Sequence, residues 1–141
     1  MSDPAPPGRP IVTDGAASLL LRAAGCLNLT ALLFAFGPRS WLEVGHRMLL
    51  GGPFPEEPIA AYLARSVSLL YAFHGALLIY AARDVRKFAG WLKLYGGLMA
   101  LAGPAFLAVD LLSGMPAWWA WGEGGSLLAG GLLVLWLMRG R

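Results

Sequence analysis

The chain has 141 residues, of which 57% are hydrophobic and only 13% are charged, and its mean hydropathy is +0.61. Soluble domains carry about 25% charged residues, so this composition excludes a soluble fold and predicts an integral membrane protein. The net charge of +3 does not indicate a nucleic-acid partner, because no basic patch interleaved with aromatic residues lies outside the apolar runs.

The first 14 residues precede any apolar run and contain four prolines. A secretory signal would begin with positive charge followed by a short apolar core, and that order is absent. Residues 1–14 are therefore predicted to be a flexible, uncleaved tail, with Thr13 or Asp14 as the N-cap of the first helix. Residues 15–141 are predicted to form one transmembrane domain.

Four apolar segments predict an all-α fold, an antiparallel bundle of four transmembrane helices. The helices are expected at about 15–36, 59–82, 88–112 and 117–138, each close to the ~20 residues that cross a membrane. Pro58 and Pro116 suit the first turns of the second and fourth helices. Pro104 interrupts the third helix, where a membrane helix tolerates a kink.

Residues 38–50, between the first two apolar segments, have an amphipathic pattern. Arg39, Glu43, His46 and Arg47 fall on one side of a helical wheel, and Trp41 falls on the other. The pattern predicts a short interfacial helix that lies on the lipid. A gating or partner-binding lid is the alternative.

Lys and Arg residues are unevenly distributed between the two predicted sides. The N-terminal tail, the loop after the second helix and the C-terminus carry most of them, whereas the other side carries Arg39 and Arg47. By the positive-inside rule both termini are predicted to be cytoplasmic. The all-helical pattern favours the cytoplasmic (inner) membrane of a bacterial cell.

Three ionisable residues interrupt the apolar segments: Arg65, Asp110 and Glu123. A charge at the bilayer centre costs roughly 2.5–3.5 kcal/mol on insertion scales, so these groups are expected to meet one another. A rise of ~1.5 Å per residue places them roughly 3–9 Å below the outer boundary. They predict either an Arg–carboxylate clamp between helices or an outward-facing pocket for a substrate headgroup or a coupled proton; separate snorkelling to the interface is the third reading.

The second helix also carries Tyr71 and His74. His74 is expected to be a buried neutral histidine that bonds a neighbouring helix, with a proton relay or a haem ligand as alternatives. The only other histidine, His46, lies outside the apolar segments, and no metal-type spacing occurs, so no metal or cofactor is predicted. The candidate binding or coupling residues are therefore Arg65, Asp110, Glu123, His74, Glu43 and Tyr71.

Small and weakly polar residues are assigned structural roles. Asn28 and Thr30 are expected to form interhelical hydrogen bonds. Small residues on the third and fourth apolar helices are expected to let these helices approach closely. They are Gly96, Ala100, Pro104, Gly130 and Gly131.

The segments AARDVRKF and DLLSGMPAWWAWGEG resemble small four-helix bacterial membrane proteins of the DoxX-like type. The resemblance extends over most of the chain at the level of pattern. It implies a compact four-helix bundle in a bacterial cytoplasmic membrane, and it transfers no functional residue.

Three functions are compatible with these residues. The first is a non-enzymatic accessory or scaffold subunit that binds partner transmembrane helices. The second is a homo-oligomeric transporter in which Glu123 or Asp110 exchanges a proton or cation. The third is a lipid- or isoprenoid-modifying enzyme that uses Asp110, Glu123 and His74, and it ranks last because no nucleophile–base pair is present.

Overall fold

The computed structural model describes residues 13–141, and its regular secondary structure there is entirely α-helical. Four helices are long and apolar enough to cross a membrane. The predicted all-α class with four membrane-spanning segments is therefore confirmed; the predicted tail lies, through residue 12, outside the described residues. The segments are α1 (Asp14–Leu29), α2 (Leu32–Phe36), α3 (Arg39–Leu50), α4 (Pro58–Ala81), α5 (Ala89–Leu112) and α6 (Ala117–Leu137).

The first membrane span begins at a side-chain cap and is broken before its end. Thr13 Oγ1 accepts the N–H of Ala16 at 3.3 Å, as the predicted N-cap requires. Thr30 Oγ1 donates to the carbonyl of Leu27 in its own turn at 2.7 Å, so the hydroxyl does not make the expected interhelical bond. Hydroxyl bonds of this kind bend helices, and the single helix predicted over 15–36 is divided into α1 and α2.

The amphipathic segment forms α3, one residue shorter than predicted. Gly51 ends it in the left-handed conformation, with φ of 78°, and its N–H returns to the carbonyl of Arg47. Trp41, Val44 and Met48 form an exposed apolar stripe along α3. Leu42, on another side of α3, is buried. The helix thus packs one apolar side against protein and leaves a second apolar side exposed.

The chain divides into two compact units. The first unit is Ser18–Arg83, and the second is Asp84–Arg141 together with the chain through Ala17. Each unit contains one antiparallel pair of membrane-length helices.

In the first unit, α1 and α2 pack along α4. Gly25 and Gly75 face each other so closely that a Cβ on Gly75 would lie 2.5 Å from the carbonyl oxygen of Gly25. Near one end of this pair, Ser18 Oγ donates to the carbonyl of Ala82 at 2.6 Å. Toward the other end, Arg65 reaches the carbonyl of Ala35. The contacts are spaced by the same number of residues along α1 and α2 as along α4, in opposite directions, so the pair is antiparallel.

In the second unit, α5 and α6 meet at two pairs of glycines. Gly96 faces Gly131, and Gly103 faces Gly124, with a Cβ on Gly103 only 2.7 Å from the Gly124 carbonyl oxygen. The glycines of each helix are seven residues apart, which is the spacing of a left-handed helix pair. Gly96 and Gly131 therefore make the predicted close approach.

The remaining small residues of α5 and α6 behave differently from one another. Gly130 faces only Met99 Cε at 3.5 Å, so it lies outside the seam between the helices. The backbone of Ala100 meets Gly131. Pro104 lies within α5, which continues through it to Leu112. The helix predicted over 88–112 is therefore confirmed as one element that tolerates its internal proline.

Candidate functional site

Arg65 projects from α4 and binds the end of α2. Its Nη1 donates to the carbonyl of Ala35 at 3.0 Å, and its Nη2 donates to the carbonyl of Gly37 at 2.9 Å. The side chain is part-buried. A charged guanidinium thus makes two hydrogen bonds to neutral backbone oxygens inside the first unit.

The local sequence explains why these carbonyls are available. Pro38 has no N–H to continue the helix, and Gly37 is extended, with ψ of 168°. The last carbonyls of a helix have no partner within it, and its C-terminus carries partial negative charge. A Cβ on Gly37 would collide with the carbonyl of Leu33 and with the ring of Trp41, so only glycine fits this turn.

Glu123, the second intramembrane candidate, is bound within its own helix. Trp119 Nε1 donates to Glu123 Oε2 at 2.9 Å, one turn earlier on α6. The indole N–H of Trp119 thereby satisfies one carboxylate oxygen of Glu123. This i,i+4 bond holds the Glu123 side chain against α6.

Asp110 is the one buried charged residue in the described part of the chain, with 8% of its surface exposed. Its Oδ2 is buried and has no hydrogen-bond partner among residues 13–141. Just beyond it, Met115 N–H donates to the Asp110 carbonyl at 2.9 Å, and Gly114 adopts φ of 73° in the turn toward α6. Asp110 therefore places an unbonded carboxylate oxygen inside protein at the turn end of the α5–α6 pair.

The glycine pairs also set the relative levels of the two carboxylates. Gly103 faces Gly124, so Glu123 lies near the level of Pro104. Six residues separate that level from Asp110, which is ~9 Å along the helix axis. Asp110 and Glu123 belong to one unit but to different levels of it. Arg65 belongs to the other unit, and its predicted pairing with either carboxylate stays a prediction.

The remaining predicted candidates lie in the first unit. His74 and Tyr71 lie on α4 near its crossing with α1, and each takes part in an interaction. His74 is nine residues from Arg65, or ~13.5 Å along the helix. Glu43 lies on α3, where its Oε1 accepts the Nε of Arg39 at 3.1 Å. Arg65 and His74 thus lie at different levels of α4, and Glu43 lies on α3.

A polar cleft of about 480 Å³ lies beside α3 in the first unit. The Arg39 side chain forms part of its wall, because its Nη2 donates to the carbonyl of Pro55 at 2.9 Å. The guanidinium also lies 5.6 Å from the centroid of the Phe54 ring. The lining residues are Arg39, Glu43, Arg47, Pro53, Phe54 and Glu56.

A cluster of ion pairs at the start of α1 was not predicted. The two carboxylate oxygens of Asp14 accept Nε of Arg86 and Nε of Arg141, at 2.5 and 2.9 Å. Lys93 Nζ donates to the Arg141 carbonyl. The Asp14–Arg141 contact joins residues 127 positions apart, which local patterns do not register. The signal that was available is that both residues fall on the same predicted side of the membrane.

Among residues 13–141, no three His, Cys, Asp or Glu side chains lie close enough together to hold a metal ion. Comparisons of this chain with protein-family models, with curated proteins and with solved structures return no match. The DoxX-like resemblance stays a prediction from sequence pattern.

Proposed function

We propose that this protein is a non-enzymatic accessory or scaffold subunit of the bacterial cytoplasmic membrane, with both termini cytoplasmic. The observation that carries the proposal is the use of Arg65: two of its donors fasten the end of α2 to α4. An intramembrane charge is by default a candidate functional residue, and the bonding of Arg65 to backbone oxygens supports a structural role for it. In this reading Arg65 clamps helices, and function resides on the outer faces of the helices.

The α5 helix offers such a face. Leu94, Leu98 and Leu101 follow one another at spacings of four and three residues, and each is exposed by more than half. Together with Leu112 they form an apolar stripe on one side of the helix. A lipid tail or an apolar partner helix can cover this stripe, and an accessory subunit uses it for the partner helix.

A photo-crosslinking experiment tests this role. A diazirine side chain replaces Leu101, which is 74% exposed, and the control carries the same group at Leu92, which is fully buried. In native membranes, the Leu101 position is expected to give one discrete protein adduct that also co-purifies without crosslinking. An adduct of twice the chain mass that persists with purified protein in nanodiscs identifies the partner as a second copy. Crosslinks to lipid alone would overturn the proposal.

The sidedness has its own test. Reporter fusions at Arg141 are expected to be active in the cytoplasm, because most Lys and Arg residues flank the membrane on that side. Activity of a periplasmic reporter at this position would reverse the proposed orientation.

A second candidate function is supported by Asp110. Buried polar atoms in proteins almost always have partners, so a buried carboxylate oxygen without one calls for an explanation. A carboxylate that exchanges a proton with a transported species supplies that explanation, because ionisable residues inside membrane helices often belong to proton or ion pathways. This candidate makes the protein a proton-coupled transporter assembled from several copies.

Proton flux distinguishes the second candidate from the first. Vesicles containing the purified protein and an entrapped pH dye are given a potassium diffusion potential, and acidification is followed. A coupled transporter is expected to conduct protons, and Asp110→Asn is expected to abolish the flux while preserving folding. Glu123→Gln serves as the comparison, because Trp119 already binds that carboxylate. Equal dye traces with and without protein would exclude a proton pathway through Asp110 that operates without a co-transported species.

A further inference from the structure

The cleft beside α3 is built before any ligand arrives. Arg39 is fixed by Glu43, by the Pro55 carbonyl and by its position over the Phe54 ring. His46 also packs edge-on against Phe54, with ring centroids 5.5 Å apart. These contacts hold the loop after α3 against the polar face of the helix, so the cleft walls are preorganised.

Two charged residues of the lining have no such partner. Arg47 and Glu56 make no hydrogen bond, ion pair or ring contact through their side chains within residues 13–141, and both are exposed. Arg39 and Glu43 neutralise each other across 3.1 Å. The cleft therefore offers one available cation and one available carboxylate. A purely anionic ligand would meet Glu56, and a purely cationic ligand would meet Arg47, so a ligand that carries both charges fits best.

The apolar stripe of α3 indicates the depth of the cleft in the membrane. Trp41, Val44 and Met48 lie on the opposite side of the helix from Arg39 and Glu43, and Met48 is 81% exposed. An amphipathic helix buries such a stripe ~5–10 Å into the boundary between headgroups and acyl chains. With the stripe in lipid, the polar face and its cleft lie among the headgroups.

We propose that this cleft binds the zwitterionic headgroup of a membrane phospholipid, with Arg47 on the phosphate and Glu56 on the ammonium. The phosphate accepts charge-assisted hydrogen bonds from a guanidinium, and a primary ammonium donates to a carboxylate. Its volume, about 480 Å³, lies within the range of small-ligand sites. Phosphatidylethanolamine has both groups, whereas phosphatidylglycerol has the phosphate without the amine.

Native mass spectrometry of the full chain in detergent, titrated with each lipid, tests the assignment. Phosphatidylethanolamine is expected to show several-fold higher occupancy than phosphatidylglycerol. Glu56→Gln is expected to remove this preference, and Arg47→Gln is expected to lower the occupancy of both lipids. The matched control is Glu57→Gln, which alters the neighbouring glutamate outside the cleft lining and is expected to change nothing.

Two further outcomes decide the source and the site. Soluble phosphoethanolamine at millimolar concentration is expected to leave the bound lipid in place, because the acyl chains of the lipid stay with the protein in the detergent micelle. Displacement would assign the cleft to a free metabolite and overturn the lipid proposal. Equal occupancy of the two lipids, or full retention of the preference in both Arg47→Gln and Glu56→Gln, would overturn the site. Circular dichroism confirms that each variant remains helical.

Discussion

The α5–α6 pair and the α1/α2–α4 pair are both antiparallel, and both cross at facing glycines. Different interactions hold the helices together along the length of each pair. Two glycine pairs seven residues apart bring α5 and α6 together along a continuous seam. The other pair has one glycine crossing, at Gly25 and Gly75, and side chains bond backbone carbonyls on either side of it.

The difference follows from the continuity of the helices. An unbroken helix satisfies its own backbone groups, so α5 and α6 need only close packing. The first span is broken at Thr30 and ends at Gly37, which leaves carbonyls without helical donors. Arg65 supplies those donors. A charge within an apolar segment can therefore be required by a helix end elsewhere in the chain.

The largest expected effect concerns that charge. Arg65→Met removes two charge-assisted hydrogen bonds, each of which contributes about 1.5–3 kcal/mol, and is expected to lower the free energy of unfolding by about 3 kcal/mol. The measurement is unfolding in mixed detergent micelles. Arg22→Met is the control, because Arg22 lies exposed on α1 and makes no hydrogen bond or ion pair within residues 13–141. Equal losses for the two variants would show that the carbonyl bonds of Arg65 contribute nothing specific.

Two adjacent glycines of α6 test the seam of the other pair. Gly131→Ala places a methyl group against the Ala100 backbone, which cannot move aside, and is expected to destabilise the protein by roughly 1–3 kcal/mol. Gly130→Ala faces only Met99 Cε at 3.5 Å, and is expected to be neutral or stabilising, since alanine favours a helix by up to about 1 kcal/mol over glycine. Thermal unfolding of both variants in one detergent compares them. A stable Gly131→Ala protein would mean that the seam is not tightly packed.

The smallest effect is expected at Ser18. Ser18→Ala removes one neutral hydrogen bond to the Ala82 carbonyl, for an expected loss of about 1 kcal/mol. Ser68 offers a matched control, because its Oγ bonds the carbonyl of Ala64 within the same helix and holds no second helix. The same unfolding measurement ranks the two. A larger loss in Ser68→Ala would contradict the role of Ser18 in joining α1 to α4.

The membrane-length helices were predictable because each is encoded by a local run of apolar residues that is bounded by proline, glycine or charged residues. The division of the first span was not predicted, because threonine is compatible with an apolar helix. The sequence does not show that the Thr30 hydroxyl bonds the carbonyl of Leu27. The two bonds from Arg65 to backbone carbonyls were also not predicted. Sequence marks charged and polar side chains as partners for an arginine, whereas the acceptors here are backbone oxygens of Ala35 and Gly37, which any residue carries.

The seam between α5 and α6 shows the same limit. Gly96 and Gly131 were among the small residues expected to make close contact, while Gly103 and Gly124 were not. Their seven-residue spacing is visible in the sequence, but only the relative register of the two helices reveals that the glycines face one another. The Asp14–Arg141 pair depends likewise on the folded chain, which brings residues 127 positions apart into contact.

The bond between Arg65 and the end of α2 has a consequence for biogenesis. A ribosome that delivers this chain to an insertion machinery releases the first span well before residue 65 leaves the exit tunnel. The five-residue α2 then has unsatisfied carbonyls at its end until the next span enters the bilayer. The carbonyls at the end of α2 gain their hydrogen bonds only when Arg65 is inserted. The first span (α1 and α2) and the second span (α4) therefore stabilise each other in the membrane.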